Sequence, residues 1–143
     1  MKTLVLANHK GSVGKSAVAT LMAQYSVRLG HRVLAIDLDH QGNFSKTLTL
    51  SGRAQLVPGS ASQIMTGPAV QLQPAGLALL SADRALLGLE RQLQRHNEFA
   101  RNLRGFLQAA DRHFDVCIID TNPNPDIRLI SALASASAAL SPI

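Results

Sequence analysis

Three aspartates, Asp37, Asp39 and Asp120, stand where apolar runs of strand length stop, and a loop with two glycines, two lysines and two serines follows another such run. The loop reads His9-Lys10-Gly11-Ser12-Val13-Gly14-Lys15-Ser16. Gly11 and Gly14 let the backbone bend so that its N–H groups converge on one anion, and a helix starting at Lys15 adds the partial positive charge of its N-terminus. Lys15 is placed to reach β- and γ-phosphate oxygens, and the Ser16 hydroxyl to ligate Mg2+. The chain has only nine acidic residues. Three of them at strand ends, beside a loop that cradles phosphates, suit chemistry in which a metal ion and a water are managed together. Asp120 follows four apolar residues and is the candidate to hold Mg2+ directly or through water. Asp39 is the candidate to orient an attacking water, with Asp37 nearer the metal and the loop. Spacing alone leaves open which of Asp37 and Asp39 contacts that water. A single aspartate after a strand is more often a turn or helix cap; three of them with this loop upstream weigh the other way.

These groups need strands to carry them and helices to cover the strands. Thr3 to Ala7 enters the loop as a buried strand, and Val18, Leu21, Met22, Tyr25 and Leu29 recur at helical spacing after it, predicting one apolar face closed by Gly30. Val33 to Ile36 predicts a second strand, and Asn43 or Ser45 is placed to cap a short helix to about Leu50. Residues 53 to 76 hold three prolines and three glycines and predict at most one helical turn, near Ser62 to Met65. Leu77 to Leu80 predicts a third strand, after which Ser81 or Asp83 caps a helix through about Leu93. A further helix carries Phe99, Leu103, Phe106, Leu107 and Ala110 on one face. Val116 to Ile119 is the fourth strand. Asp126 to Ser137 predicts a helix with Ile127, Ile130, Leu133 and Ala134 at helical spacing, and Ala138 to Ile143 a fifth strand. Alternation of this kind predicts a doubly wound, mostly parallel α/β sheet with flanking helices, in one domain over residues 1 to 143.

With 143 residues, 46% of them hydrophobic, the chain has material for one core, and the absence of Trp makes that core aliphatic. The net charge of +5 suits anionic partners such as nucleotides or nucleic acid. Six arginines from Arg84 to Arg112, interleaved with Asp83, Glu90, Glu98 and Asp111, read more readily as a solvated, self-paired outer face than as a dedicated nucleic-acid surface. Cys117 is the single cysteine, which excludes an internal disulfide framework or thiolate metal cage, and its apolar neighbours predict a buried, inert thiol. No apolar run reaches membrane-spanning length and no secretory signal pattern opens the chain, so a cytoplasmic protein is expected.

The strict phosphate-loop pattern G-x-x-x-x-G-K-[ST] fails, because its first glycine falls at His9. Lys10-Gly11-Ser12-Val13-Gly14-Lys15-Ser16 instead resembles the deviant Walker A ATPases of the ParA and MinD type, whose loop reads Lys-Gly-Gly-x-Gly-Lys-Ser/Thr. Asp37-Leu38-Asp39-His40-Gln41-Gly42-Asn43 resembles their next motif, with His40 where the family usually has proline. Phe114 to Pro123 resembles their Walker B strand, and Leu79 to Leu93 resembles the chromosome and plasmid partition branch. The resemblance implies a P-loop NTPase fold that binds ATP and Mg2+, with Lys10, Gly11, Ser12, Val13, Gly14, Lys15, Ser16 and Ala17 around the nucleotide and Ser16, Asp37 and Asp120 toward the metal. It implies catalytic roles for Lys10, Lys15 and Asp39, with Lys10 reaching across an ATP-dependent homodimer to the partner's phosphates. Non-specific DNA binding, a ParB-like stimulating partner and a nucleoid-associated location in plasmid or chromosome partitioning follow from the same resemblance.

Three departures bear on that expectation. Ser12 replaces the second family glycine, Asn122 replaces a usual proline, and Asp126 adds a charge nearby. Family members also continue beyond the strand at Ala138 to Ile143, so the resemblance implies a C-terminally incomplete copy. A catalytically inactive remnant that binds nucleotide or DNA is therefore the alternative expectation. A MinD-type membrane ATPase is disfavoured because no basic amphipathic helix is present at the C-terminal end. Iron–sulfur carriers are disfavoured by the single cysteine, and a metabolite kinase would leave Lys10 and the Asp37 to Asn43 run unexplained.

Overall fold

The computed structural model describes residues 1–7, 14–67, 69–123 and 126–140. Six strands form one sheet: β1 (Lys2–Leu6), β2 (Val33–Asp37), β3 (Gln55–Leu56), β4 (Leu77–Leu80), β5 (Val116–Asp120) and β6 (Ala138–Leu140). Their order is β3-β4-β2-β5-β1-β6, and every pairing is parallel. The helices are α1 (Lys15–Arg28), α2 (Asn43–Ser51), α3 (Gln63–Thr66), α4 (His96–Ala110) and α5 (Ile127–Ser135). The doubly wound parallel architecture expected from the sequence is the one observed.

Because successive strand residues point to opposite faces, each central strand feeds two cores. Leu34, Ile36, Ala78, Leu80, Cys117 and Ile119 pack with Ile64, Met65, Phe99, Leu103, Leu107, Ile127 and Leu129 from α3, α4 and α5. Val33, Ala35, Leu77, Leu79 and Ile118 pack with Ala19 and Ala23 of α1 and Phe44 and Leu48 of α2. Buried on both faces, these strands read as continuous apolar runs, which is why the sequence exposes them clearly. Burial raises the Cys117 thiol far above its usual range, as an inert core thiol requires.

Several expectations are corrected. The sheet has an extra edge strand, β3, inside the Pro/Gly-rich stretch, where two exposed residues carry no periodicity. The helix expected from Ser81 or Asp83 to Leu93 is two 3-10 turns, Arg84–Gly88 and Leu93–Arg95, and the regular helix starts at His96. The α1 face assigned to the core is largely solvent-facing: Leu21, Tyr25 and Leu29 are 65%, 63% and 57% exposed. The buried face is Lys15, Ser16, Ala19, Thr20 and Ala23, because small side chains let the helix lie close on the sheet. Likewise Ile130 and Leu133 of α5 are exposed, while Arg128 and Ser131 are buried. The fifth strand is described only as Ala138–Leu140; residues 141–143 lie outside the described residues.

At the amino end of the sheet, Asp115 accepts from Arg32 N, Nε and Nη2 at 2.8, 3.3 and 3.0 Å, and this partnership pulls its carboxyl down to about 2. The pair clamps the starts of β2 and β5, remote from the aspartates at the carboxyl end. Asp115 is thus a structural member of the strand motif that surrounds Asp120.

Candidate functional site

Parallel strands bring their C-terminal ends to one edge, and ligands of such sheets bind there. Asp37 and Asp120 are register partners at the ends of β2 and β5, and Leu6 of β1 is the register partner of Asp120 on the other side. By strand parity Asp37 and Asp120 share the sheet face covered by α1, the helix that begins with Lys15 and Ser16.

Lys15 and Asp120 are both fully buried, with Lys15 Nζ 2.5 Å from Asp120 Oδ1. The same ammonium donates to the Thr121 carbonyl. Ser16 Oγ donates to Asp120 Oδ2 at 2.9 Å. Thr121 Oγ1 donates to the Leu6 carbonyl at 2.8 Å, which fixes the end of β5 against the end of β1. Burial raises the Asp120 carboxyl above its ordinary value, while the Lys15 charge and the Lys15 and Ser16 hydrogen bonds pull it back down.

Asp37 uses both carboxylate oxygens on protein donors. Its Oδ1 accepts from Asp39 N at 3.1 Å, and its Oδ2 accepts from Ser45 N and Ser45 Oγ at 2.8 and 2.7 Å. It therefore caps α2 from outside the helix, in place of the Asn43 or Ser45 cap expected from the sequence. Gly42 supplies the left-handed turn into α2 at φ 71°. Burial raises the Asp37 carboxyl to about 6, against the opposing Ser45 hydrogen bonds.

Asp39 is 1% exposed; its Oδ1 accepts from Gln41 N at 3.0 Å, and its Oδ2 is buried without a hydrogen-bond partner. Among the described residues, three buried carboxylates thus share the site region with one buried ammonium, Lys15. The excess of negative charge and the unpartnered Asp39 oxygen fit a site completed by a cation and water. Among the described residues no three acidic, histidine or cysteine side chains are arranged to hold a metal ion by themselves.

At the start of α1, Gly14 adopts φ 81° and, lacking a side chain, makes no cap bond of its own, and the first turn carries no acidic residue. The dipole of a helix N-terminus favours an anion there. Lys10, Gly11, Ser12 and Val13 lie outside the described residues. Ala17 is exposed on the first turn of α1. Of the sequence-predicted residues, the structure brings together Lys15, Ser16 and Asp120 by direct bonds and Asp37 and Asp39 by a backbone bond.

Four participants were not singled out as site residues. Thr121 acts through its carbonyl, and Ser45 is the partner of Asp37. His40 and Arg128 meet beside Asp39, with Arg128 Nη1 3.3 Å from His40 Nδ1 and 3.1 Å from the Leu38 carbonyl. One signal was available for Arg128: a lone arginine in an Ala/Ser-rich helix, two residues after a capping aspartate.

A fully parallel sheet whose first helix sends a lysine and a serine onto the carboxylate of the neighbouring strand defines a P-loop-type α/β protein. A family model described as an AAA domain matches residues 1–143, and the chain belongs to that family, in its ParA-type branch. It is 37% identical over 150 residues to protein IncC of Escherichia coli, covering all of this chain and 40% of that protein. It is 32% identical over 152 residues to the chromosome partitioning protein ParA of Caulobacter vibrioides, covering all of this chain and 56% of that one. Among solved structures, cobyrinic acid a,c-diamide synthase of Mycobacterium smegmatis with bound ADP and magnesium superposes with a TM-score of 0.81 at 28% identity, over all of this chain and 60% of that one. The chain spans about half the length of the curated relatives it matches. Among the described residues no helix is long and apolar enough to cross a membrane.

Proposed function

We propose that this chain is the nucleotide-binding portion of a partition-type ATPase, taking ATP with Mg2+ at the Lys10 to Ala17 loop. One observation carries the reading: Lys15 and Ser16, the first two residues of α1, both bond the buried Asp120 at the carboxyl end of the sheet. In the proposed complex Lys15 leaves Asp120 for phosphate oxygens, and Ser16 and Asp120 turn to the metal. Asp37, whose oxygens already serve Asp39 and Ser45, would act toward the metal through water rather than directly. Bound magnesium would neutralise charge on the β- and γ-phosphate oxygens. Asp39 orients the attacking water through its unpartnered Oδ2, and excess phosphate charge is met by Lys15 and by Lys10 of a second copy. An ATP-dependent homodimer, non-specific DNA binding, a ParB-like stimulating partner, a single domain over residues 1–143 and a nucleoid-associated cytoplasmic location complete the reading. The similarity to IncC and ParA supports it.

The test is phosphate release from ATP by the chain, with and without DNA, beside Lys15→Ala and Lys10→Ala. Turnover lost in both variants supports the cradle and trans roles, and turnover unchanged in Lys15→Ala overturns the reading. The alternative, a portion that binds nucleotide without turning it over, is separated by the same assay. Saturable ATP binding with no phosphate release, monomeric at every ATP concentration, would select it.

A further inference from the structure

His40 and Asp126 are opposite ends of one chain of contacts through Arg128. Arg128 is 5% exposed although it lies on a helix whose larger apolar neighbours Ile130 and Leu133 face solvent. Its Nε and Nη2 donate to Asp126 Oδ2 at 3.0 and 2.6 Å, and its backbone N donates to Asp126 Oδ1 at 2.9 Å. Asp126 Oδ2 also accepts from Asn122 Nδ2 at 2.9 Å, so the guanidinium is fixed to the loop that follows Asp120. Its remaining arm, Nη1, reaches the Leu38 carbonyl at 3.1 Å and His40 Nδ1 at 3.3 Å. Leu38 and His40 are the two neighbours of Asp39. A guanidinium only donates, so His40 Nδ1 is the acceptor in this contact.

We propose that Arg128 is a positioning residue for Asp39: it clasps the residues on either side of Asp39 to the loop after Asp120 and so holds the unpartnered Asp39 Oδ2 at a fixed place relative to Lys15, Ser16 and Asp120. The physical case rests on directionality. A buried arginine paired only for stability needs its carboxylate, and Asp126 alone supplies that. The Nη1 arm adds nothing to charge compensation. Its partners lie in a different segment of the chain, on both sides of the one site carboxylate that has a free oxygen. A planar fork can hold both groups at once, and a lysine ammonium at the same position cannot. Small displacements of a water-orienting carboxylate cost rate far more than binding, because alignment matters in the transition state.

The inference rests on the reading of Asp39 given above, and its test separates the two. Turnover number and ATP affinity are measured for the chain, Arg128→Gln, Arg128→Lys and His40→Ala, together with amide hydrogen exchange over residues 38–42 without nucleotide. Expected for Arg128→Gln are a turnover number lowered at least tenfold, ATP affinity within about threefold of the parent, and faster exchange over 38–42 with β2 and α4 unchanged. Arg128→Lys keeps the charge and still shows most of the turnover loss. His40→Ala leaves the ion pair intact, speeds exchange over 38–42 and lowers turnover by a smaller factor; it decides the matter if Arg128→Gln fails to fold. Full rescue by lysine, equal losses in affinity and turnover, or unchanged exchange over 38–42 overturns the clasp. If the parent chain turns over no ATP, the ATPase reading fails on that result, and the exchange of residues 38–42 still decides whether Arg128 holds Asp39.

Discussion

Lys15 Nζ lies 2.5 Å from Asp120 Oδ1 with both side chains fully buried, and Ser16 Oγ holds the other oxygen of the same carboxylate. In the proposed site, the charge that would meet phosphate is held against the charge that would meet the metal. Each neutralises the other in a place where neither would be tolerated alone. Phosphate and a divalent cation arriving together replace both halves of the pair at once, so binding of either ligand is expected to favour the other.

Removing one half exposes the cost of the other. Lys15→Met leaves Asp120 buried without its cation, a change worth roughly 3–5 kcal/mol when the carboxylate stays charged. Loss of Lys15 also removes the attraction that lowers the Asp120 carboxyl, so its protonation moves to higher pH. Chemical denaturation should therefore find the largest loss of stability above neutral pH and a smaller one toward pH 4. A loss independent of pH would mean that Asp120 does not depend on Lys15.

Asp37 gives a pH dependence of its own. Burial raises its carboxyl to about 6 from an ordinary 3.8. Between those values the folded chain binds a proton that the unfolded chain has released. The stabilisation is complete below pH 4 and is lost as pH rises through 6, on the order of 3 kcal/mol in all. Asp37→Asn lacks the charge. Asparagine also gives up one of the accepted backbone bonds at every pH, so in metal-free and nucleotide-free buffer it should be the less stable protein near pH 4, with the gap between the denaturation midpoints narrowing by pH 7.5 as the parent loses its stabilisation. Parallel profiles would contradict the assignment.

The inverted face of α1 is testable by packing. Ala23 is fully buried against the second core, so Ala23→Leu should cost about 1–3 kcal/mol by overpacking. Leu21→Ala and Tyr25→Ser remove side chains that face solvent and should change stability by no more than about 0.5 kcal/mol. Thermal melts of the three variants distinguish this face from the one read off the sequence.

The central strands and the residues at their ends were legible because strands buried on both faces leave uninterrupted apolar runs, and a carboxylate or glycine at the end of such a run stands out. The helices were less legible. Helical periodicity finds an apolar stripe in α1, but the side that touches the sheet is chosen by size. Ala19 and Ala23 pack closely where Leu21 and Tyr25 cannot, and the first turn must aim Lys15 and Ser16 inward. In α5 it is polar partners that decide: the Asp126 carboxylate and the Leu38 carbonyl hold Arg128 inward, and Ile130 is left outside. Asp37 was legible as a site residue but not as the cap of α2, since that partnership with Ser45 spans eight positions and closes only when β2 and α2 fold together. Strand β3 is two exposed residues that pair with β4, and nothing local marks them.

The most direct test of the nucleotide site is calorimetric titration of ATP into the chain, Lys15→Ala and Ser16→Ala, each with and without Mg2+. The parent should bind ATP more tightly with Mg2+ than without it. Lys15→Ala should lose at least about a hundredfold in affinity under both conditions, as removal of a buried phosphate-binding cation implies. Ser16→Ala should keep metal-free binding and lose the enhancement by Mg2+. Equal affinity in all three proteins, or no binding by the parent at millimolar ATP, would contradict a phosphate and magnesium site built on Lys15, Ser16 and Asp120.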